Sequence, residues 1–255
     1  IDTPESPEPS TWEMPRPVTT PSALAIAAVM MVVNLPLIHY FFFRGPAEVT
    51  ASIPFQDDYS NAVTVAQNYF STGGLWRVEG GQLVSPGVKN NPLWLKTSLP
   101  ANVAVEFDVR SQSPEGDIKA EIFGDGTNHA SGYVLIHGGW NNSVSIIARL
   151  DEHGPSLQAL QAEAQRRGQG DVVQSGVFRT DTRMRVEAHP YPVQVGRMYH
   201  WRIERKGSAI LWSIDGKEFM RLDDPFPLAC RGHDRFGFSS WESQLFFDNL
   251  KIQAM

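Results

Sequence analysis

Val103-Ala104-Val105-Glu106-Phe107-Asp108-Val109-Arg110 is the stretch that decides the fold. Successive side chains of a strand point to opposite faces, so Val103, Val105, Phe107 and Val109 share one face and Ala104, Glu106, Asp108 and Arg110 the other. A strand buried on one face and wet on the other belongs to an antiparallel sheet. The same period of two continues on either side of it. Tyr199, Trp201 and Ile203 alternate with His200, Arg202 and Glu204, and 210–214 runs into Asp215-Gly216, a type I′ turn pair, before Lys217 to Arg221 returns. Further strands are expected over 75–78, 82–84, 93–96, 118–123, 133–137, 144–150, 236–239 and 245–252. A dozen short strands separated by Gly, Pro, Asn and Asp predict a mainly β protein, an antiparallel jelly-roll-type β-sandwich over 46–255. One segment breaks the pattern. Residues 155–168 carry a capping Ser156, helix formers, Arg166-Arg167 and a stopping Gly168, which predicts a short helical insertion. Its apolar face, Leu157, Leu160 and Ala164, is thin, so the helix either lies loosely on the sandwich or docks on a partner through Leu157 and Leu160.

Composition agrees with this class. The 255 residues include 18 Pro and 21 Gly, with 42% hydrophobic and 20% charged side chains, a balance that suits a turn-rich β protein better than a helical bundle. The net charge of −6 and the lack of any basic cluster beyond Arg166-Arg167 exclude nucleic acid as a natural partner. A single cysteine, Cys230, cannot form an internal disulfide.

The N-terminal part reads differently. Residues 1–21 hold six prolines, four carboxylates and a lone Trp12, so they form an extended Pro-rich tail without a core of their own. From Ala23 to Phe43 no Asp, Glu, Lys or Arg occurs, and 21 residues at 1.5 Å rise cross the ~30 Å hydrocarbon layer, which predicts a transmembrane helix over 22–44. A signal peptide is the competing reading, but the apolar stretch exceeds a usual h-region and no small-x-small cleavage site follows it. Tyr40 to Phe43 beside Arg44 forms an aromatic-cationic anchor. Inside the span, Asn34 is expected to hydrogen-bond a neighbouring helix. His39 reads as an imidazole facing headgroups, the alternative being a ligand to a haem or pigment of an adjacent subunit.

Four pieces of the large domain resemble the concanavalin A-like lectin/glucanase superfamily, in particular its LamG-like and 3-keto-disaccharide-hydrolase-like branches. They are Phe55 to Tyr59, the hairpin Gly74 to Leu83, the strand Glu106 to Arg110, and Phe247 to Ile252 after the Ile214-Asp215-Gly216 turn. The resemblance implies that the first and last strands pair and bring Asp58 near Asp248, where a structural Ca²⁺ is the alternative to two ordinary polar strand ends. It also raises catalysis, since retaining glucanases need two carboxyls about 5 Å apart. Glu106 and Asp108 would supply them, but the third residue on that face is Arg110, which can act as neither nucleophile nor acid and is expected to pair with its two neighbours. No catalytic residue, cofactor or metal is therefore assigned. His129, His137, His153, His189, His200 and His233 lack ligand spacing and read as loop or surface residues. Trp76, Trp94, Trp201 and Trp212 fall within strands and are expected in the core. Trp140 and Trp241 fall in loops, where each could stack on a sugar ring.

Trp12, Asn34 and the Leu157/Leu160 helix each look like a feature without intramolecular use. They make the chain read as a single-span accessory or scaffolding subunit of a bacterial inner-membrane complex, respiratory or photosynthetic, with a non-catalytic sandwich in the periplasm among other subunits. The alternative is a membrane-tethered glycan-binding protein or glycoside hydrolase on the same fold. Arg16 and Arg44, one on each flank, leave the orientation undecided by charge.

Overall fold

The computed structural model describes residues 19–42, 48–188, 191–229 and 231–255, with side chains of the first stretch described as far as Leu37. Trp12, Arg16, Arg44, His189, Cys230 and the His39 side chain lie outside the described residues. The chain divides into two units, 1–45 and 46–255.

The first unit contains one helix, α1 (Thr20–Phe42). Pro21 falls in its first turn, where a missing N–H is harmless. The window Thr20–Leu37 has a mean hydropathy of 1.7 and is long and apolar enough to cross a membrane. Leu24, Ile26, Val29, Met30, Val33 and Leu37 are exposed on all sides of it, the pattern of a helix meant for an apolar surround. Asn34 donates its amide to Met30 O at 2.7 Å, one turn back in its own helix.

The second unit is the sandwich. In chain order its elements are β1 (Phe55–Asp57), α2 (Ala62–Asn68), β2 (Tyr69–Ser71), β3 (Arg77–Glu79), β4 (Gln82–Val84), β5 (Leu93–Leu95), β6 (Val103–Ser111), β7 (Ile118–Gly124), β8 (Tyr133–Gly138), β9 (Val144–Arg149), α3 (Leu157–Arg166), β10 (Met184–Ala188), β11 (Tyr199–Lys206), β12 (Ala209–Ile214), β13 (Lys217–Asp223), β14 (Arg235–Ser240) and β15 (Leu245–Ala254). One sheet runs β13-β12-β11-β6-β15-β4-β3, with β1 added on β15; the other runs β10-β9-β8-β7-β14-β5-β2. As expected, the first and last strands pair, Phe55 opposite Ile252 and Asp57 opposite Leu250.

Between the sheets lies the core that the alternation of β6 called for. Val103, Val105, Phe107 and Val109 are fully buried. The Phe107 ring lies 5.4 Å from Trp201, 5.1 Å from Phe238 and 6.1 Å from Phe247, which ties β6 to both sheets. Trp76, Trp201 and Trp212 join this core as expected. Trp94 is also fully buried, but on the other face of its sheet. It lies over Gly124 and Gly237, where an added Cβ would come within 2.3 and 2.7 Å of its ring, so these two positions have room for glycine alone.

The helical insertion starts as read. Ser156 Oγ accepts from Ala159 N, and Leu157 and Leu160 pack against the sandwich's own core with Ala164 buried beside them. Of the two alternatives for this helix, packing on the sandwich is the one these contacts support. Leu75, placed in a strand by the sequence reading, lies ahead of β3 and is exposed.

One end of the interior is closed by polar groups. Arg149, with its side chain 1% exposed, donates Nε to Asp224 Oδ2 at 2.7 Å and its other nitrogens to the carbonyls of Thr180, Thr182 and Phe226. Tyr133 Oη donates to the same Asp224 oxygen at 2.6 Å and accepts from Leu228 N. Removing one partner of such a pair strands the other charge away from water. Asp224→Asn is expected to cost about 3 kcal/mol, the lower end of the range for broken buried pairs because three carbonyls still serve Arg149. Urea unfolding of the chain in detergent checks this, and a loss under about 1 kcal/mol would contradict it.

Candidate functional site

In the second sheet β7 lies between β8 and β14 and runs antiparallel to both. Ile118, its first residue, is opposite His137 near the end of β8 and Ser240 at the end of β14. The segments that leave β8 and β14 therefore emerge on either side of the one that enters β7. Trp140 follows β8, Trp241 follows β14, and Glu115 and Asp117 precede β7. All four line one cavity of about 260 Å³, with Lys119, Ile136, Asn141, Glu152, His153 and Glu242.

Trp140 is held out by a left-handed turn. Gly138, Trp140, Asn141 and Asn142 all have positive φ, between 49° and 68°. For three residues with a Cβ this is a strained backbone, of the kind that surrounding bonds must hold in place. Asn142 supplies them. Its Oδ1 accepts from Val193 N at 2.7 Å and its Nδ2 donates to Val193 O at 2.8 Å, and Ser143 Oγ donates to Trp140 O. Trp140 stays 40% exposed. Trp241, 41% exposed, has the Lys89 ammonium 5.0 Å from its ring, and Lys89 in turn pairs with Glu242 at 3.0 Å. The two tryptophans that the sequence placed in loops thus border one cavity, and neither is buried.

Below the cavity lies a charged layer that the sequence reading missed. Lys119 and Glu121 point away from the inter-sheet core, the face that alternation alone assigns to water. They are nevertheless buried, because three loops fold over them. Lys119 Nζ donates to Asn90 Oδ1 at 2.8 Å and Glu152 Oε2 at 3.1 Å, and lies 3.5 Å from Asp117 Oδ1. Glu121 accepts from Ala130 N and meets His129 Nδ1 at 2.6 Å, while His129 Nε2 stands 3.3 Å from Glu152.

Burial works against the charged form of His129, yet Glu121 and Glu152 outweigh it and hold the pKa up at about 9. Burial likewise opposes ionised Glu152, but His129 and Lys119 beside it bring its pKa down to about 2. For Asp117 burial prevails, and its pKa is raised. His137 also departs from the surface reading. It is fully buried, stacked on Tyr191 at 5.1 Å with Nε2 2.8 Å from Tyr191 O, and burial takes its pKa down to about 4.

The remaining expectations resolve as follows. On the outer face of β6, Glu106 pairs with Arg202, and Asp108 meets His200 Nδ1 at 2.8 Å and Asn249 Nδ2 at 2.8 Å. Arg110, expected on those two carboxylates, instead donates to Gln82 Oε1 and lies 3.8 Å over the Phe246 ring, because the neighbouring β11 had already supplied their partners. Asp58 Oδ1 accepts from Ser60 N, and Asp248 accepts from Asn249 N and Gln82 Nε2. Among the described residues no group of three or more His, Cys, Asp or Glu is placed to hold a metal.

No family model and no curated protein sequence matches the chain. Solved structures do. The carbohydrate-binding module CBM66 from Bacillus subtilis superposes with a TM-score of 0.51 at 12% identity, covering 73% of this chain and 96% of that one. These matches show the fold, a β-sandwich of two antiparallel sheets, as the sequence predicts. A sialidase matches with a TM-score of 0.52 at 12% identity over 79% of this chain, but over 18% of its own length, so only a portion of that larger protein shares the sandwich.

The charged layer makes stability depend on pH. His129 has a folded pKa of about 9 against an ordinary 6.5, so its contribution is complete below pH ~6.5 and is lost as pH rises through 9. The chain is expected to lose stability between pH 7 and 10 more steeply than His129→Gln does. Equal slopes in denaturation series of the two proteins would contradict the placement of a charged His129 between Glu121 and Glu152.

Proposed function

We propose that the sandwich is a glycan-binding module carried on a membrane anchor. The observation behind this reading is the convergence of Trp140 and Trp241, from segments about a hundred residues apart, on one cavity whose other groups are four carboxylates, an amide, a lysine, a histidine and one isoleucine. A pyranose presents C–H groups on its faces and hydroxyls at its edge. Half-exposed indoles suit the faces, and Asp, Glu and Asn suit the edge. At about 260 Å³ the cavity is smaller than the ~300–1,000 Å³ of sites for drug-sized ligands, the scale of one sugar residue.

Binding is favoured over hydrolysis by the state of Glu152, Glu106 and Asp108. Glu152 already accepts from Asn90 and Lys119, and with a pKa of about 2 it carries no proton to donate. Glu106 and Asp108 lie on the other sheet and are engaged by Arg202 and His200. The accessory-subunit reading has less to rest on. Leu157 and Leu160 pack on the sandwich's own core, and the solved structures that share the fold include a carbohydrate-binding module and a sialidase.

The apolar α1 serves in this reading as a retained anchor, with the sandwich on the extracytoplasmic side where glycans are met. The full chain is expected to stay with membranes through an alkaline carbonate wash and to be released by detergent. Recovery of the chain, with residues 20–42 present, in the wash would remove the anchor.

For the site, Trp140→Ala and Trp241→Ala are each expected to weaken saccharide binding several-fold to about tenfold, since a stacked ring contributes about 0.5–1.5 kcal/mol beyond its buried area. Trp→Phe should retain part of the affinity. A glycan array followed by calorimetry on the best ligand reads this, and unchanged affinity in both alanine variants would dismiss the site.

A further inference from the structure

Asp117 is the group in this cavity that the protein leaves unserved. It is 9% exposed, and its buried Oδ1 accepts no hydrogen bond among the described residues. Lys119 comes no closer than 3.5 Å, because its ammonium is turned to Asn90 and Glu152 at 2.8 and 3.1 Å. A buried carboxylate without donors is costly to keep unless a ligand completes it.

The cavity wall is mostly acidic: it carries Glu115, Asp117, Glu152 and Glu242 against Lys119 and the imidazole of His153, with Arg185 5.5 Å from the Trp140 ring. Glu152 is answered by Lys119 and His129, and Glu242 by Lys89. Glu115 is exposed and has no cation among the described residues, so it and Asp117 are left over. The two aromatic walls add to this. The face of an indole attracts a cation and does nothing for an anion, and Trp241 already hosts one at 5.0 Å in Lys89.

We propose that the cavity selects a sugar residue bearing a free ammonium group, an amino sugar, with the ammonium placed on Asp117 and Glu115 beside the tryptophan faces. The inference rests on the glycan-binding reading above and narrows its ligand class. Neutral sugars would bind through their hydroxyls alone, and uronic or sialic acids would meet unpaired carboxylates at short range. Like charges in a partly dry cavity repel more strongly than in water, so the discrimination should be large against anions and moderate against neutral rings.

The test compares three tetrasaccharides of one β-1,4 backbone that differ at carbon 2: the free amine, its N-acetyl form and the hydroxyl form. Oligogalacturonate serves as the anionic probe. Each is titrated into the full chain in mild detergent, at a pH where the amine is protonated. The amine is expected to bind at least tenfold tighter than the acetylated and hydroxyl forms, oligogalacturonate is expected not to bind, and the preference should shrink as salt is added. Asp117→Asn, isosteric at a buried position, should bring the amine to the level of the hydroxyl form while Trp-dependent binding remains. Glu115→Gln, at an exposed position that folding does not need, should lower the preference in part.

Equal affinity for the three backbones, or binding of oligogalacturonate, would overturn the amino-sugar inference and leave glycan binding standing. Preference for the amine that survives in both carboxylate variants would overturn the assignment to Asp117 and Glu115. If no saccharide binds, and none on the array does either, the glycan reading fails and this inference with it.

Discussion

The site depends on one ammonium group in an unusual place. Lys119 leaves β7 on the side of the sheet that faces away from the core, and yet only 2% of its side chain is exposed. A charge there has to be answered, because desolvating an ion costs several kcal/mol unless partners replace the water. The partners come from two segments distant in sequence, Asn90 before β5 and Glu152 after β9, while the adjoining Asp117 stays at 3.5 Å. Holding Lys119 therefore means holding those loops down. His129 does the same for the loop between β7 and β8, through Glu121 and Glu152. Once the loops are pinned, the outer face is closed except where the strand ends meet, and that opening is the cavity.

The cavity's shape follows from topology and its character from strain. β8 and β14 flank β7 and run against it, so their ends and its beginning coincide. Any aromatic just past either end would stand beside that opening. What fixes Trp140 there is the left-handed backbone of 140–142, which on general grounds costs of order 1–3 kcal/mol per residue. Asn142 offsets it by imitating a strand neighbour of Val193, donating to and accepting from the same residue. Strain of this sort at the mouth of a cavity orients a ring before any ligand arrives, so less order remains to be imposed on binding.

How far this was legible in the sequence depends on whether a residue's surroundings are local. β6 could be read because its inner face is wholly apolar and its outer face wholly polar or small, and the alternation of β11 and the Asp215-Gly216 turn were equally local signals. Ser156 as a helix cap could be read for the same reason. β2 and β10 could not: Tyr69-Phe70-Ser71 and Met184 to Ala188 are too short or too mixed to show a period, and they become strands by pairing with β5 and β9. Lys119 and Glu121 gave the pattern of a wet face, and no local feature announces that loops from elsewhere will cover it. His137 could be placed at the end of a strand, but nothing local shows that Tyr191, Tyr199, Trp201, Trp212 and Phe219 from other segments enclose it. Trp140 and Trp241 could be placed in loops, but their meeting required the strand order.

Under the proposed reading, a cavity the size of one sugar residue on a membrane-anchored chain also constrains how such a protein would work. A single sugar residue buries little surface, and association must first overcome several kcal/mol of lost translational and rotational freedom, so one site alone binds weakly. Anchoring changes that balance. Many copies held in one membrane and facing a polymeric glycan turn later contacts into near-intramolecular events, and avidity can exceed the single-site affinity by about 10²–10⁴-fold without any new contact. A small and rigid cavity, selective through charge more than through area, suits that arrangement better than a deep groove would, because each contact can break and re-form while the surface as a whole stays attached.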